Sequence, residues 1–331
     1  MNNSSVNPIT ILGAGAWGTA LALYLAGQNQ AVRLWSVEQT EIDAMLKDHV
    51  NTRYLPGFIL SPLIEPMKNL AEAVAAVEDV LIVVPSAGFR QTLASLKKVA
   101  SPRLRILSAT KGLDENTGQL LHKVAEEILG RAHPFAVLSG PSFAREVASG
   151  LPCAVDIASQ DQDFLHDLQQ RFSSHLFHVH PTNDVIGVEI GGVIKNVIAI
   201  ATGIVDGLEL GANVRSTVIT YGLNEIIHLG TALGGQASTF LGLSGLGDLI
   251  LTCSDNQSRN RRLGLALGRG QAIEQAEREL GHVAEGKHNA KMIAMLAAQH
   301  GVAMPICTSI WQILQGKLNS KETIMQCLSQ R

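Results

Sequence analysis

Six residues near the amino terminus, Gly13-Ala14-Gly15-Ala16-Trp17-Gly18, constrain this chain more than any other feature. They follow the apolar run Ile9-Thr10-Ile11-Leu12 and precede a helical pattern over residues 19–28. In a GxGxxG turn between a buried strand and a helix, each glycine has a physical reason. Gly13 permits the tight turn, Gly15 lets the backbone approach a pyrophosphate, and Gly18 allows helix and strand to pack closely. The N–H groups at the helix start then face phosphate oxygens. A structural turn in some other α/β fold is the competing reading. The strand before the turn and the helix after it favour dinucleotide binding.

The pattern beyond the turn supports a sheet to carry it. Apolar runs at 31–35, 80–84, 104–108 and 135–138 alternate with helical stretches, and runs at 153–158 and 176–179 extend the series. Near-continuous apolar strands fit a parallel sheet covered by helices on both faces, so residues 1–188 read as a doubly wound Rossmann-type α/β domain. From residue 189 no strong strand appears. Long helical patterns at 189–207, 214–229, 262–268, 289–300 and 309–315 make residues 189–331 a mostly α-helical second domain. Two domains suit a chain of 331 residues, and a composition of 46% hydrophobic and 17% charged residues can bury two cores.

Composition also narrows the function. A net charge of −3 argues against nucleic acid or an anionic membrane surface as partner, while leaving room for a local cationic pocket. Cys153, Cys253, Cys307 and Cys327 lie far apart without ligand spacing, and read as free thiols in a reducing compartment. The eleven histidines form no HxH or HExxH pattern, so no metal is predicted. His175, His178 and His180 read as structural. Residues 1–7 do not form a signal peptide, and no uninterrupted apolar run of ~20 residues marks a membrane span. A cytoplasmic enzyme is the expectation.

Hydride transfer between a carbonyl and an alcohol needs a proton donor at the oxygen and a cation to stabilise negative charge there. Two lysines stand out. Lys195 lies in the apolar stretch Val193-Ile194-Lys195-Asn196-Val197-Ile198, with small residues on its own face; a lysine snorkelling to solvent is the alternative. Lys111, in Ala109-Thr110-Lys111-Gly112, follows a strand end, where doubly wound sheets bind ligands; an ordinary turn lysine is the alternative. Ser139-Gly140-Pro141-Ser142 offers free N–H groups and a hydroxyl, or a simple N-cap. Asp248, among glycines, could orient a lysine or cap a helix. Ser258-Arg259-Asn260-Arg261-Arg262 before an apolar helix makes an anion site, or a solvated charged face. The end of the second strand has Ser36 and Val37 where an NAD-selective site carries an acid, and Glu38 comes late. Use of both NADH and NADPH, with NADPH favoured, is therefore expected.

These segments together resemble the bacterial NAD(P)-dependent glycerol-3-phosphate dehydrogenase family over nearly the whole chain. The matching stretches are GAGAWGTALA, VVPS, ATKGL, SGPSFAREVASGLP, GGVIKNVIAIATGI, GLGDLILTC and DNQSRNRRLG. The resemblance implies a helical half like the C-terminal domain of 6-phosphogluconate dehydrogenase. It implies reversible hydride transfer between NAD(P)H and dihydroxyacetone phosphate, giving sn-glycerol 3-phosphate for glycerophospholipid synthesis. It makes Lys195 the proton donor in reduction, with Lys111 and Asp248 beside it. Gly140, Ser142, Ser258, Arg259 and Asn260 become substrate contacts. Ala16, Trp17, Lys111, Ala144, Arg259, Val283 and Glu285 become cofactor contacts alongside the three glycines. A homodimer is implied too. One departure is that some relatives carry histidine or arginine where this chain has Ser36 and Val37. The rival readings are a 3-hydroxyacid or ketopantoate-type dehydrogenase and a non-catalytic dinucleotide sensor; fold alone does not separate them.

Overall fold

The computed structural model describes residues 7–281, 285–318 and 321–322. The chain forms two units that interleave in sequence. One takes the chain up to Thr110, then Leu121–Leu138 and Ser142–Asn183; the other takes Lys111–Leu120, Ser139–Pro141 and the chain from Asp184 onward.

The first unit is built on eight strands: β1 (Ile9–Leu12), β2 (Val32–Trp35), β3 (Ile64–Met67), β4 (Asp79–Ile82), β5 (Arg105–Ser108), β6 (Phe135–Ser139), β7 (Cys153–Ser159) and β8 (Phe177–Thr182). They are ordered β3-β2-β1-β4-β5-β6-β7-β8. The β1–β2, β1–β4, β2–β3, β4–β5, β5–β6 and β7–β8 pairs are parallel. Helices α1 (Ala16–Gly27), α2 (Gln39–Asp48), α3 (Leu70–Val74), α4 (Ser86–Lys97), α5 (Leu121–Leu129), α6 (Ala144–Ala148) and α7 (Gln162–Phe172) make the connections. Successive strand residues feed opposite cores. Ile9, Ile11, Leu81 and Leu107 pack on one face, and Leu12, Val80, Ile82 and Ile106 on the other. Burial on both faces is why these strands carry near-continuous apolar runs.

Strand β3 was not expected from the sequence. Its Ile-Glu-Pro-Met composition lacks the apolar signature, and Pro66 removes a ladder donor. An edge position tolerates that loss, and β3 sits at the edge. At the other edge, β8 alternates buried Phe177 and Val179 with exposed His178 and His180.

The second unit is helical: α8 (Val185–Gly207), α9 (Gly211–Ala232), α10 (Ala237–Phe240), a π-helical turn (Leu243–Gly247), α11 (Asp248–Ser254), α12 (Arg259–Gly268), α13 (Ile273–Leu280), α14 (Glu285–Gln299) and α15 (Pro305–Leu314). The boundary lies at Asp184, earlier than the expected residue 189. The missed signal is a cap: Asp184 Oδ1 accepts from Gly187 N at 2.9 Å and starts α8 there. The sequence pattern also gave no sign that 111–120 and 139–141 belong with the helices.

Helix α8 is the spine of this unit. It is long and apolar enough to span a bilayer, yet nearly all of it is buried inside the unit, as is usual for a core helix. Helix α12 packs on it backbone to backbone. A Cβ at Gly264 would overlap the Ile200 carbonyl, and one at Gly203 would overlap the Arg261 carbonyl. The Glu225 carboxylate, fully buried on α9, accepts from the N–H groups of Ile306 and Cys307 and so caps α15 from a distance. Cys153, Cys253 and Cys307 are free thiols. Burial pushes Cys253 up to about 12 and Cys153 up to about 11, which keeps both unreactive. Cys327 lies outside the described residues.

Candidate active site

In the sheet unit the glycine turn has the geometry its residues predict. Gly13 adopts φ 120°, and a Cβ there would lie 2.5 Å from the Val83 carbonyl oxygen, so both backbone angle and space require glycine. A Cβ at Gly18 would overlap the Gly13 carbonyl, while Gly15 faces open space. Among the described residues no side chain caps the start of α1, so the N–H groups of its first turn stay available to an anion. The indole N–H of Trp17 is buried without a partner among the described residues, as a position shaped around a further molecule would leave it. These residues fit a dinucleotide pyrophosphate. Ser142 and Ala144, beyond β6, are half-buried and belong to the same unit as the turn.

In the helical unit, three segments far apart in sequence meet at one buried carboxylate. Asp248 is 1% exposed. Its Oδ1 accepts from Lys195 Nζ at 2.6 Å and its Oδ2 from Lys111 Nζ at 2.7 Å. Lys195 also donates to Thr252 Oγ1 at 2.9 Å, and Lys111 to the Gly140 carbonyl at 3.2 Å. An ammonium has three donors. Each lysine therefore keeps one N–H beyond these partners.

Local structure explains the placement. The π-helical turn at Leu243–Gly247 ends at Asp248, and π-turns of this kind recur at functional sites because they re-aim the next side chain. Thr252 follows one α-helical turn later on the same face. Gly140 adopts φ 148°, a conformation open to glycine, where its carbonyl meets Lys111. Gly192 leaves room for Ser139 and the stem of Lys111: a Cβ there would stand 2.8 Å from Ser139 Oγ and 3.6 Å from Lys111 Cγ. That hydroxyl is buried and has no hydrogen-bond partner among the described residues.

Burying an ammonium costs several kcal/mol unless it is paired. Lys195 is 6% exposed, and Asp248 and Thr252 offset that cost. Desolvation still dominates: it brings the Lys195 amine down to about 8, against the pull of Asp248, with Lys111 adding to the fall. Burial alone would raise the Asp248 carboxyl, but Lys111 and Lys195 outweigh it and hold the group below the usual carboxylate range. Two ammonium groups on one carboxylate leave a net charge of +1. Burial raises the Glu285 carboxyl, while Arg259, Lys111 and Lys195 pull it down.

Ser258, Arg259 and Asn260 open α12 next to this cluster. Ser258 Oγ accepts from Arg261 N as the N-cap, and Arg259 is exposed. Arg261 is buried and paired with Asp206 at 2.7 Å, which gives it a structural part. Asn260 has a more internal part than a substrate contact alone. Its Nδ2 donates to Asn196 Oδ1 at 3.0 Å, and its Oδ1 accepts from Gly286 N at 2.9 Å. It thus fastens the start of α12 to the residue beside Lys195. Thr252 was missed as a member of the site, and the sequence places Asn196 only beside Lys195, without a role. Only its i,i+4 spacing from Asp248 could have pointed to Thr252. Val283 lies outside the described residues; Glu285 opens α14 and is half-buried.

Residues 8–165 match the NAD-dependent glycerol-3-phosphate dehydrogenase N-terminus family, and residues 184–325 match the NAD-dependent glycerol-3-phosphate dehydrogenase C-terminus family. A glycerol-3-phosphate dehydrogenase [NAD(P)+] of Actinobacillus pleuropneumoniae is 49% identical over 308 residues, 93% of this chain and 92% of the relative. One of Haemophilus ducreyi is 47% identical over 332 residues, 100% of this chain and 99% of the relative. The crystal structure of glycerol-3-phosphate dehydrogenase from Coxiella burnetii superposes with a TM-score of 0.96 at 45% identity, covering 98% of this chain and 99% of that one.

Proposed function

This chain belongs to the NAD-dependent glycerol-3-phosphate dehydrogenase family, and from that premise we propose that it interconverts dihydroxyacetone phosphate and sn-glycerol 3-phosphate with NAD(P)H. The observation that carries the chemistry is the pair of lysines on one buried carboxylate, each with a donor to spare. NAD(P)H, when bound, supplies the hydride to the carbonyl carbon.

Lys195 gives its remaining proton to the carbonyl oxygen as that oxygen becomes an alkoxide. In the oxidative direction the neutral amine takes the hydroxyl proton back. An amine near 8 can serve both directions at neutral pH, where an ordinary lysine at 10.5 would hold its proton too tightly to act as a base. Lys111 donates to the same oxygen and stabilises its charge, and Asp248 fixes both amines. Arg259 and the free N–H groups at the start of α12 bind the phosphate. That anchor orients the ketone before the chemical step, and orientation of this kind lowers barriers by several kcal/mol. Gly140 and Ser142 complete the substrate contacts. Gly13, Gly15, Ala16, Trp17, Gly18, Ala144 and Glu285 hold the cofactor.

The family match over both halves favours this reading above a ketopantoate-type or 3-hydroxyacid dehydrogenase. A cytoplasmic homodimer that feeds glycerophospholipid synthesis goes with it by resemblance. Following NADPH oxidation with dihydroxyacetone phosphate against a panel of 2-keto and 3-keto acids tests the assignment. The phosphate ester is expected to be turned over selectively; equal or better turnover of a keto acid would overturn it.

A further inference from the structure

A nicotinamide dinucleotide comes with either a hydroxyl or a phosphate on its adenosine 2′ carbon, and in doubly wound sheets that position lies beyond the end of the second strand. Here the end of β2 adjoins the glycine turn directly: Gly13 N donates to the Trp35 carbonyl at 2.8 Å. The cations with contacts around β2 and α2 include Arg33, Lys68 and Arg53. Arg33 is anchored through Nη1 to the carbonyls of Glu72, Ala73 and Ala75, the last at 2.6 Å. Lys68 pairs with Asp43. Arg53 pairs with Glu38 at 3.3 Å and Glu41 at 3.0 Å, with half of its side chain exposed. Val37, where a cation could have served, is an exposed apolar residue.

Arg53 and its neighbours are tied to the glycine turn. Asn51 Nδ2 donates to the Ala14 carbonyl inside the turn at 2.8 Å, and Asn51 Oδ1 accepts from Tyr54 N at 3.2 Å. The Tyr54 hydroxyl donates to the Glu38 carboxylate at 2.9 Å, and the Arg53 guanidinium lies over the Tyr54 ring at 5.2 Å. The backbone of Glu38 is fixed as well, its N–H donating to Ser36 Oγ at 3.2 Å. So the end of β2 carries one carboxylate with a second partner in Tyr54, and one half-exposed cation shared between the exposed Glu38 and the largely covered Glu41. The longer, exposed pair to Glu38 is weak, so a doubly charged phosphate can draw the arginine away from it at little cost.

We propose that Arg53 and Glu38 form an exchangeable pair that lets this chain accept both dinucleotides. Arg53 turns to the 2′-phosphate of NADPH, and Glu38 accepts the ribose hydroxyls of NADH. The inference rests on the reading that the glycine turn holds a dinucleotide. The sequence pattern places Glu38 only as late for a ribose-binding acid, and neither the glycine motif nor the family resemblance singles out Arg53.

Titration calorimetry of the full chain with ADP-ribose and 2′-phospho-ADP-ribose tests it without any turnover. The unaltered chain is expected to bind both. Arg53→Gln should weaken 2′-phospho-ADP-ribose by about tenfold or more while ADP-ribose stays within about threefold. Arg53→Lys should recover part of the loss. Glu38→Gln should act the other way, weakening ADP-ribose and sparing the 2′-phosphate form. Equal effects of Arg53→Gln on the two nucleotides, or none on either, would overturn the proposal. If the unaltered chain bound neither nucleotide, the dinucleotide reading itself would fall, and this proposal with it.

Discussion

The glycine turn of the sheet unit and the lysine cluster of the helical unit solve different problems with different materials. The turn offers backbone: N–H groups at the start of α1, and space where side chains are missing. Its six residues are contiguous, so one short stretch of sequence specifies it. The cluster offers side chains, Lys111, Lys195, Asp248 and Thr252, brought together from three separate stretches and buried at a cost. The contrast teaches that recognition of a phosphate can be local and made of backbone. Tuning a proton donor needs burial, and burial needs a whole fold.

Substitutions can break this contrast at either end. Removing the amine should have the largest effect. Lys195→Ala is expected to lower turnover by roughly 10²–10⁴-fold, the range for loss of a general acid, while NADPH binding followed by fluorescence is unchanged. A joint loss of both would mean that the two sites are not separable. Asp248→Asn strips two ammonium groups of their counter-charge, and breaking a buried pair costs about 3–5 kcal/mol. Denaturant unfolding should register that loss along with lower turnover.

Arg259→Ala comes next. It should raise KM for dihydroxyacetone phosphate by about 10–100-fold, the range for losing charged hydrogen bonds, with a smaller change in kcat. An unchanged KM would place the phosphate elsewhere. Gly264→Ala should be smallest at the site and felt in stability. Its methyl group overlaps the Ile200 carbonyl, and overpacking costs about 1–3 kcal/mol. Loss of turnover greater than loss of stability would show that the spacing of α12 and α8 positions Lys195.

The same contrast explains what could be read in the sequence. Strands β1, β2, β4 and β5 were legible because burial on both faces writes itself as apolar runs, and β3 was not, because Pro66 and Glu65 suit an edge. Lys195 was legible as a charge amid small residues on an apolar helix. Its partners were less so: Asp248 was legible as one of two readings, a carboxylate that orients a lysine or a helix cap, and Thr252 reads as any polar residue in α11. Asn260 reads as part of an anion site, while its carboxamide bonds to Asn196 and Gly286, contacts that no local pattern encodes. Assignment of residues 111–120 and 139–141 to the helical unit was equally hidden, since their neighbours in sequence are strands.

The central claim is that Lys195 works as a proton donor tuned by burial against one shared carboxylate. The pH dependence of dihydroxyacetone phosphate reduction at saturating NADPH addresses it directly. The donor is the charged form, so the rate should hold below a break near 8 and fall about tenfold per pH unit above it. A rate that stays level until the ordinary lysine value of 10.5 would contradict the account.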